Sequence, residues 1–180
     1  LEAYRYSAGK FSMSFCVFEL TGEDVVDFLQ NQSTYNFKEL VAQTFHMMSF
    51  LDPHGKVEFY CWALNKMHSV LLLVPTKLKE VAHVRLEKFL ISEDVTITDL
   101  GEQIWTVVLG PRAQAKGFKG IMLEEEAYFT QEDLDIPSLN ERELYLWRSL
   151  NGWPDFQGEN FSSELINNLR LYDLSVSQNK

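Results

Sequence analysis

Cysteine is scarce in this chain: Cys16 and Cys61 are the only two among 180 residues. They are too few and too far apart for a disulfide framework or a closed zinc site. Both lie in apolar, strand-like stretches and read as buried, reduced thiols of a cytosolic protein. Long apolar runs are missing too. The longest, 70–74, falls far short of the ~20 residues a membrane helix requires. No charged stretch followed by an apolar one stands near Leu1, so no export signal is expected. Basic charge is in deficit, with 16 Lys and Arg against 26 Asp and Glu and a net charge of −10. A surface of that sign repels phosphate backbones and anionic lipid, which argues against nucleic-acid and membrane partners.

Catalytic signatures are absent as well. The chain has no Gly-rich phosphate loop, no His-Glu-x-x-His, no Cys-x-x-Cys and no nucleophile elbow. Its histidines, His46, His54, His68 and His83, fall in different elements without ligand spacing, so no metal is expected. The acidic run Glu124-Glu125-Glu126 has no His or Cys near it and reads as a hydrated loop. From the residues alone, no general acid, base or nucleophile emerges.

What is present is core-forming material. Hydrophobic residues make up 46% and aromatics 13%, enough for one or two packed cores. The stretch from Leu20 to Asn36 organises the rest. Thr21 and Asp24 have the spacing to cap each other at a helix start. Val25, Val26, Phe28 and Leu29 follow as an apolar stripe. The pattern then turns polar at Gln30, Asn31, Gln32, Ser33, Thr34 and Asn36. Such a cluster reads as a solvated helix end and turn, or as a polar rim that holds a ligand.

Along the chain, two short strands are expected within 4–18, broken near Gly9-Lys10. After the first helix, 45–51 and 57–64 form a hairpin around Asp52-Pro53-His54-Gly55. Residues 69–74 are nearly all aliphatic and predict a central strand. A helix follows from Pro75-Thr76, with Leu78, Val81, Ala82, Leu86, Phe89 and Leu90 on one face and His83 and Arg85 off it. Residues 95–100 alternate as a strand. This order predicts an α+β fold of antiparallel sheet with helices on one face, of ferredoxin-like type. A second unit starts near Gln103 with a strand at 104–109 and a short helix at 112–116. One strand at 127–129 follows, and then a helix capped by Asn140 and Glu143 and stopped by Gly152 and Pro154. The expected division is 15–100 for the ferredoxin-like subdomain. Residues 1–14 plus 101–160 make a smaller α+β subdomain intertwined with it, and 161–180 form an extended tail.

Three motifs in order, and a tail, carry a resemblance. Leu20-Thr21-Gly22-Glu23-Asp24 with Phe28-Leu29-Gln30-Asn31-Gln32-Ser33-Thr34-Tyr35-Asn36 resembles the opening of the YgfZ family, folate-binding relatives of the glycine-cleavage T-protein (aminomethyltransferase). Leu51-Asp52-Pro53-His54-Gly55-Lys56-Val57 is similar to that family's hairpin. Trp147-Arg148-Ser149-Leu150-Asn151-Gly152-Trp153-Pro154 is similar to its Arg-x-x-x-Gly-x-Pro segment. The tail to Lys180 resembles the run-up to its Lys-Gly-Cys-Tyr-x-Gly-Gln-Glu signature, with the Cys and a C-terminal barrel expected beyond the last residue.

The resemblance implies a T-protein-like fold and a tetrahydrofolate-type ligand. It also implies a role in making or repairing iron–sulfur proteins, whose client or assembly proteins would be partners. The compartment it implies is the cytoplasm, or the mitochondrial matrix in a eukaryote. The folate-binding residues it implies are Gln30, Gln32, Thr34, Asn36, Asp52, Lys56, Glu58, Arg148 and Lys180. Asn36 stands where the family has Asp. Phe59 and Tyr60 replace the T-protein's paired aspartates, leaving Glu58 as the nearest carboxylate. Two further readings stay open: a tetrahydrofolate-dependent aminomethyltransferase, and a non-catalytic binding module with the same fold.

Overall fold

The computed structural model describes residues 9–110, 115–122 and 125–151. Its backbone strand is β1, Gly9–Thr21, in which Phe11 and Phe15 are flanked by smaller or polar side chains and Phe15, Cys16, Val17 and Phe18 are all buried. The break expected near Gly9-Lys10 is where β1 begins, and the earlier residues lie outside the described ones. β2 (Phe45–Leu51) and β3 (Val57–Asn65) form the expected hairpin. β4 (Val70–Pro75) is buried at every position, as its aliphatic run predicts for an interior strand. β5 (Thr96–Leu109), β6 (Phe118–Met122) and β7 (Glu125–Thr130) complete one sheet of order β2-β3-β4-β1-β5-β7-β6. Every strand-to-strand pairing within it is antiparallel. The architecture is α+β, as expected.

The sheet is rolled. Its two edge strands meet where Thr44 bridges Lys119, and the Lys119 N–H donates to the Gln43 carbonyl at 3.0 Å. Phe129 on β7 then sits 6.0 Å from both Phe15 on β1 and Trp62 on β3 and 4.7 Å from Phe45 on β2, ring to ring. These are distances a flat sheet of this order would not allow. Phe45, Phe118, Trp62, Phe15 and Phe129 all lie at most 8% exposed. Burial of each large ring stabilises by about 2–3 kcal/mol, so the aromatic interior is the main reason the sheet curls. Gly120 marks the seam. A Cβ there would lie 2.7 Å from the Phe45 ring.

Two helices cover the outer face of the β2-β3-β4-β1 half. α1 (Val25–Gln32) buries Val25, Phe28 and Leu29. It starts later than the sequence suggests. Thr21 stays in β1, and Gly22 turns the chain at φ +128, where a Cβ would strike the Asp94 carbonyl oxygen at 2.0 Å. Asp24 therefore does not join a capping pair with Thr21. Its carboxylate accepts the Asp94 N–H at 2.7 Å, while the Glu23 N–H donates to the Asp94 carboxylate at 3.2 Å. α2 (Lys79–Lys88) follows a short 3-10 turn at Thr76–Leu78 and buries Ala82, Leu86 and Arg85.

Four further details differ from the sequence reading. The strands expected at 95–100 and 104–109 are one strand, β5. The expected break is a bulge: Val17 faces the extra residues Leu100 and Gly101, and Gly101 takes φ +74. β6 was not expected, since Gly117 and Gly120 weaken its pattern. Val81, placed on the buried face of α2, is 40% exposed, whereas Arg85, placed off it, is buried. The helix expected at 112–116 falls mostly outside the described residues. The last helix, α3 (Glu141–Asn151), has its capping box. The Glu143 N–H donates to Asn140 Oδ1 at 2.9 Å, and the Asn140 N–H to Glu143 Oε2 at 3.0 Å. Trp147 on α3 closes one end of the interior against Phe11, centroids 6.2 Å apart.

Candidate functional site

Three elements converge on one buried cation. Arg85 projects from α2 and is 9% exposed. Its Nε donates to Glu58 Oε2 at 2.5 Å and its Nη1 to Gln32 Oε1 at 3.0 Å. The guanidinium lies over the Phe89 ring, 3.7 Å from the centroid. A guanidinium this deep needs a carboxylate and full hydrogen bonding to offset its lost hydration. Glu58 supplies the carboxylate, the last residue of α1 supplies the amide, and Phe89, four residues along, supplies a π-face.

Glu58 reaches this position through a strand irregularity. Phe59 pairs with Phe50 and Val57 with Leu51, so Glu58 is an extra residue between the pairs. Strict alternation would send it to the opposite face from Phe59; a bulge re-aims it toward α2. Beside the pair opens a groove of about 390 Å³, lined by Glu58, Glu80, Val81, Val84, Arg85 and Lys88. That volume is in the range that holds small organic ligands. The wall is apolar in the middle, where Val84 is 61% exposed, and charged at its ends.

Gln32 and Glu58 are thus brought together by Arg85, which sequence reasoning passed over. Helical periodicity files an arginine with the polar face, and its partners lie 27 and 53 residues away. The remaining implied residues have other contacts. Gln30 Oε1 accepts the Lys38 N–H at 3.2 Å. Thr34 guards the outer edge of β2: its N–H donates to the Ser49 carbonyl at 2.9 Å, and its Oγ1 accepts the Ser49 N–H at 3.0 Å. Asn36 precedes the 3-10 turn Phe37–Glu39 and accepts the Glu39 N–H. Asp52 organises the hairpin turn, with Oδ1 accepting the N–H groups of His54 at 2.8 Å and Lys56 at 2.9 Å. The Lys56 N–H bond chiefly, and that of His54, hold the Asp52 carboxyl below its usual range. Arg148 lies in α3, but its side chain is outside the described residues, as is Lys180.

His46 and Cys61 have altered acidity as well. His46 on β2 is stacked on Tyr35, centroids 3.9 Å apart, with Nδ1 2.7 Å from the Met47 carbonyl oxygen. Burial pushes its pKa below the ordinary value, so it is neutral at pH 7. Cys61 is fully enclosed and its thiol is pushed far up by burial, which makes it inert as a nucleophile. Among the described residues no three His, Cys, Asp or Glu side chains gather as a metal site. No described helix is long and apolar enough to cross a membrane.

No protein-family model and no curated protein matches the chain in sequence. Among solved structures it is similar to the glycine cleavage system aminomethyltransferase T from Bartonella henselae, with a TM-score of 0.55 and 12% sequence identity. The likeness covers 87% of this chain and 47% of that one. The chain therefore spans about half the length of the structure it matches. At this identity the shared property is the fold.

Proposed function

We propose that this chain binds tetrahydrofolate or a derivative at the groove beside Glu58, Arg85 and Gln32, and that it acts as an accessory protein for iron–sulfur proteins in the manner of the YgfZ type. The observation that carries the binding half is the Glu58–Arg85 pair, braced by Gln32, in the lining of a ligand-sized groove, on a fold shared with an aminomethyltransferase. A reduced pterin offers a row of N–H donors along one edge. Glu58 keeps Oε1 free of any partner among the described residues, so it can accept from that edge. The aliphatic wall of Val81 and Val84 accepts a flat ring.

The transferase alternative asks more of the site. Aminomethyl transfer needs a carboxylate free to work beside the reacting nitrogen of the folate. Glu58 is instead engaged by Arg85, which favours holding a ligand over turning it over. The iron–sulfur half rests on the sequence resemblance; its readout is the activity of iron–sulfur enzymes in cells lacking the protein.

The direct experiment is a titration with 5-formyltetrahydrofolate while tryptophan emission is followed. Trp62 lies four residues from Glu58 on β3 and is fully buried. A saturable change is expected, weakened about ten-fold in Glu58→Gln. No saturable change in folded protein rejects the folate reading.

A further inference from the structure

The outer face of α2 runs on past the groove. Ala82, Arg85 and Leu86 turn inward. Outward stand Glu80, Val81, Val84 and Lys88 and, just beyond the helix end, Ile91, at the three- and four-residue spacing of a single stripe. Val81 is 40% exposed, Val84 61% and Ile91 86%. A lone exposed valine is ordinary. β-branched residues are nevertheless poor choices for a solvated helix face, where Ala, Lys or Glu would serve better. Three of them in one stripe mark a face made for packing.

The charges on that face are symmetric about Val84. Glu80 stands four residues before it and Lys88 four after. They lie roughly 12 Å apart at a helical rise of 1.5 Å per residue, too far to pair within the helix. Among the described residues neither has an oppositely charged side chain within salt-bridge distance. A second α2 laid antiparallel across a two-fold axis at Val84 answers both at once. It sets Glu80 against Lys88 of the second copy, Lys88 against its Glu80, and Val84 against Val84. Seven residues from the axis on either side, Ile91 then covers the aliphatic stem of the other copy's Lys77. Glu87, three residues from the axis, is drawn toward His83, whose Nε2 lies 3.2 Å from its carboxylate, which leaves its stem for Val81.

We infer that two copies of this chain associate through antiparallel contact of their α2 helices, and that this contact covers the groove. The surface is complementary to itself, as an isologous two-fold interface requires; parallel pairing would set Glu80 against Glu80. Because Glu80, Val81, Val84 and Lys88 also line the groove, ligand and second copy exclude each other. Each copy carries a net charge of −10, which opposes approach. At physiological salt a Debye length of about 8 Å screens that field and leaves contact pairs in force. With one short helix from each copy, the interface is small, so association is reversible with a Kd on the order of 10–100 μM.

Sedimentation velocity of the whole chain without ligand, from about 5 to 500 μM, tests it. The weight-average mass of the wild type should climb reversibly from one chain toward two. Glu80→Lys and Lys88→Glu change exposed positions and spare the core, with circular dichroism as the check on folding. Each sets like charges opposite one another and should weaken self-association about ten-fold or more. Mixed in equal amounts, the two variants should recover it, since each supplies the charge the other lacks. A mass fixed at one chain, a mass rising past two, single variants that dimerise like wild type, or a mixture that stays monomeric overturns the antiparallel pairing. With no ligand present, all four results leave the folate reading standing. Where 5-formyltetrahydrofolate binds saturably, it should return the wild type to the mass of one chain; a dimer that persists at saturation overturns the shared face.

Discussion

Arg85 and Glu58 hold each other at 2.5 Å across the junction of α2 and β3, and that contact sets both the floor of the groove and the bulge that aims Glu58. Removing one partner leaves the other charge in a poor environment. Glu58→Ala should destabilise by about 2 kcal/mol, less than the 3–5 of a fully enclosed pair because the Glu58 side chain is 35% open to solvent. Glu58→Gln, which keeps an acceptor, should cost about half of that. Urea midpoints measure both. An Ala variant as stable as wild type would mean that the pair is ornamental.

Gly120 should be intolerant of any side chain. The Phe45 ring it would meet is itself wedged against Phe129, with interplanar angle 84°, so the ring cannot rotate away cheaply. Gly120→Val should cost about 2–3 kcal/mol by overpacking and loosen the seam between β2 and β6. Amide exchange at Lys119, whose N–H bonds Gln43, should quicken more than exchange in β4. Uniform acceleration throughout the sheet would show that closure does not depend on this glycine.

Acidity should confine maximal stability to the window between pH 6.5 and 9.0. His46 is pushed below its ordinary 6.5 by burial, so its contribution is whole above 6.5 and is lost as pH falls through the lowered value. Further down, Glu19 and Asp99 add an acid limb. The Ser69 hydroxyl chiefly, and Lys79 respectively, hold them below their ordinary 4.5 and 3.8. On the alkaline side, burial raises the thiols of Cys16 and Cys61 above their ordinary 9.0, so their contribution is lost as pH climbs past 9.0. A Tm profile should show this plateau. His46→Gln should flatten its first acid shoulder, and a Tm that rises below pH 6.5 in wild type contradicts the assignment.

Asn140→Ala removes the Oδ1 that accepts the Glu143 N–H, one of the two bonds of the α3 capping box, and should cost about 1 kcal/mol. Because α3 seats Trp147 on Phe11, the loss should appear in the emission of that tryptophan before the global transition. A single transition unchanged in midpoint would place the stability of α3 elsewhere.

What the sequence made legible was local. The Asp52–Gly55 turn is encoded by four adjacent residues, and Gly55 adopts φ +79 as such a turn requires. The central strand shows in five consecutive aliphatic residues, and the α3 cap in two residues three apart. What it hid depends on distant partners. Closure of the sheet joins Gln43 to Lys119 and Phe45 to Gly120, pairs that no periodicity links. The helix start failed at Thr21 because Asp94, seventy residues beyond Asp24, takes the bonds a capping box would use. Arg85 looked like surface charge because the carboxylate and amide that bury it belong to β3 and α1.

The claim that most depends on this geometry is ligand binding at the Glu58–Arg85–Gln32 groove. Amide spectra of 15N-labelled protein, recorded as 5-formyltetrahydrofolate is added, test it residue by residue. The account predicts saturable shifts confined to Gln32, Glu58, residues 80–89 and their neighbours. Shifts that map to the Asp52 turn or the β6 edge while residues 80–89 stay still would contradict it.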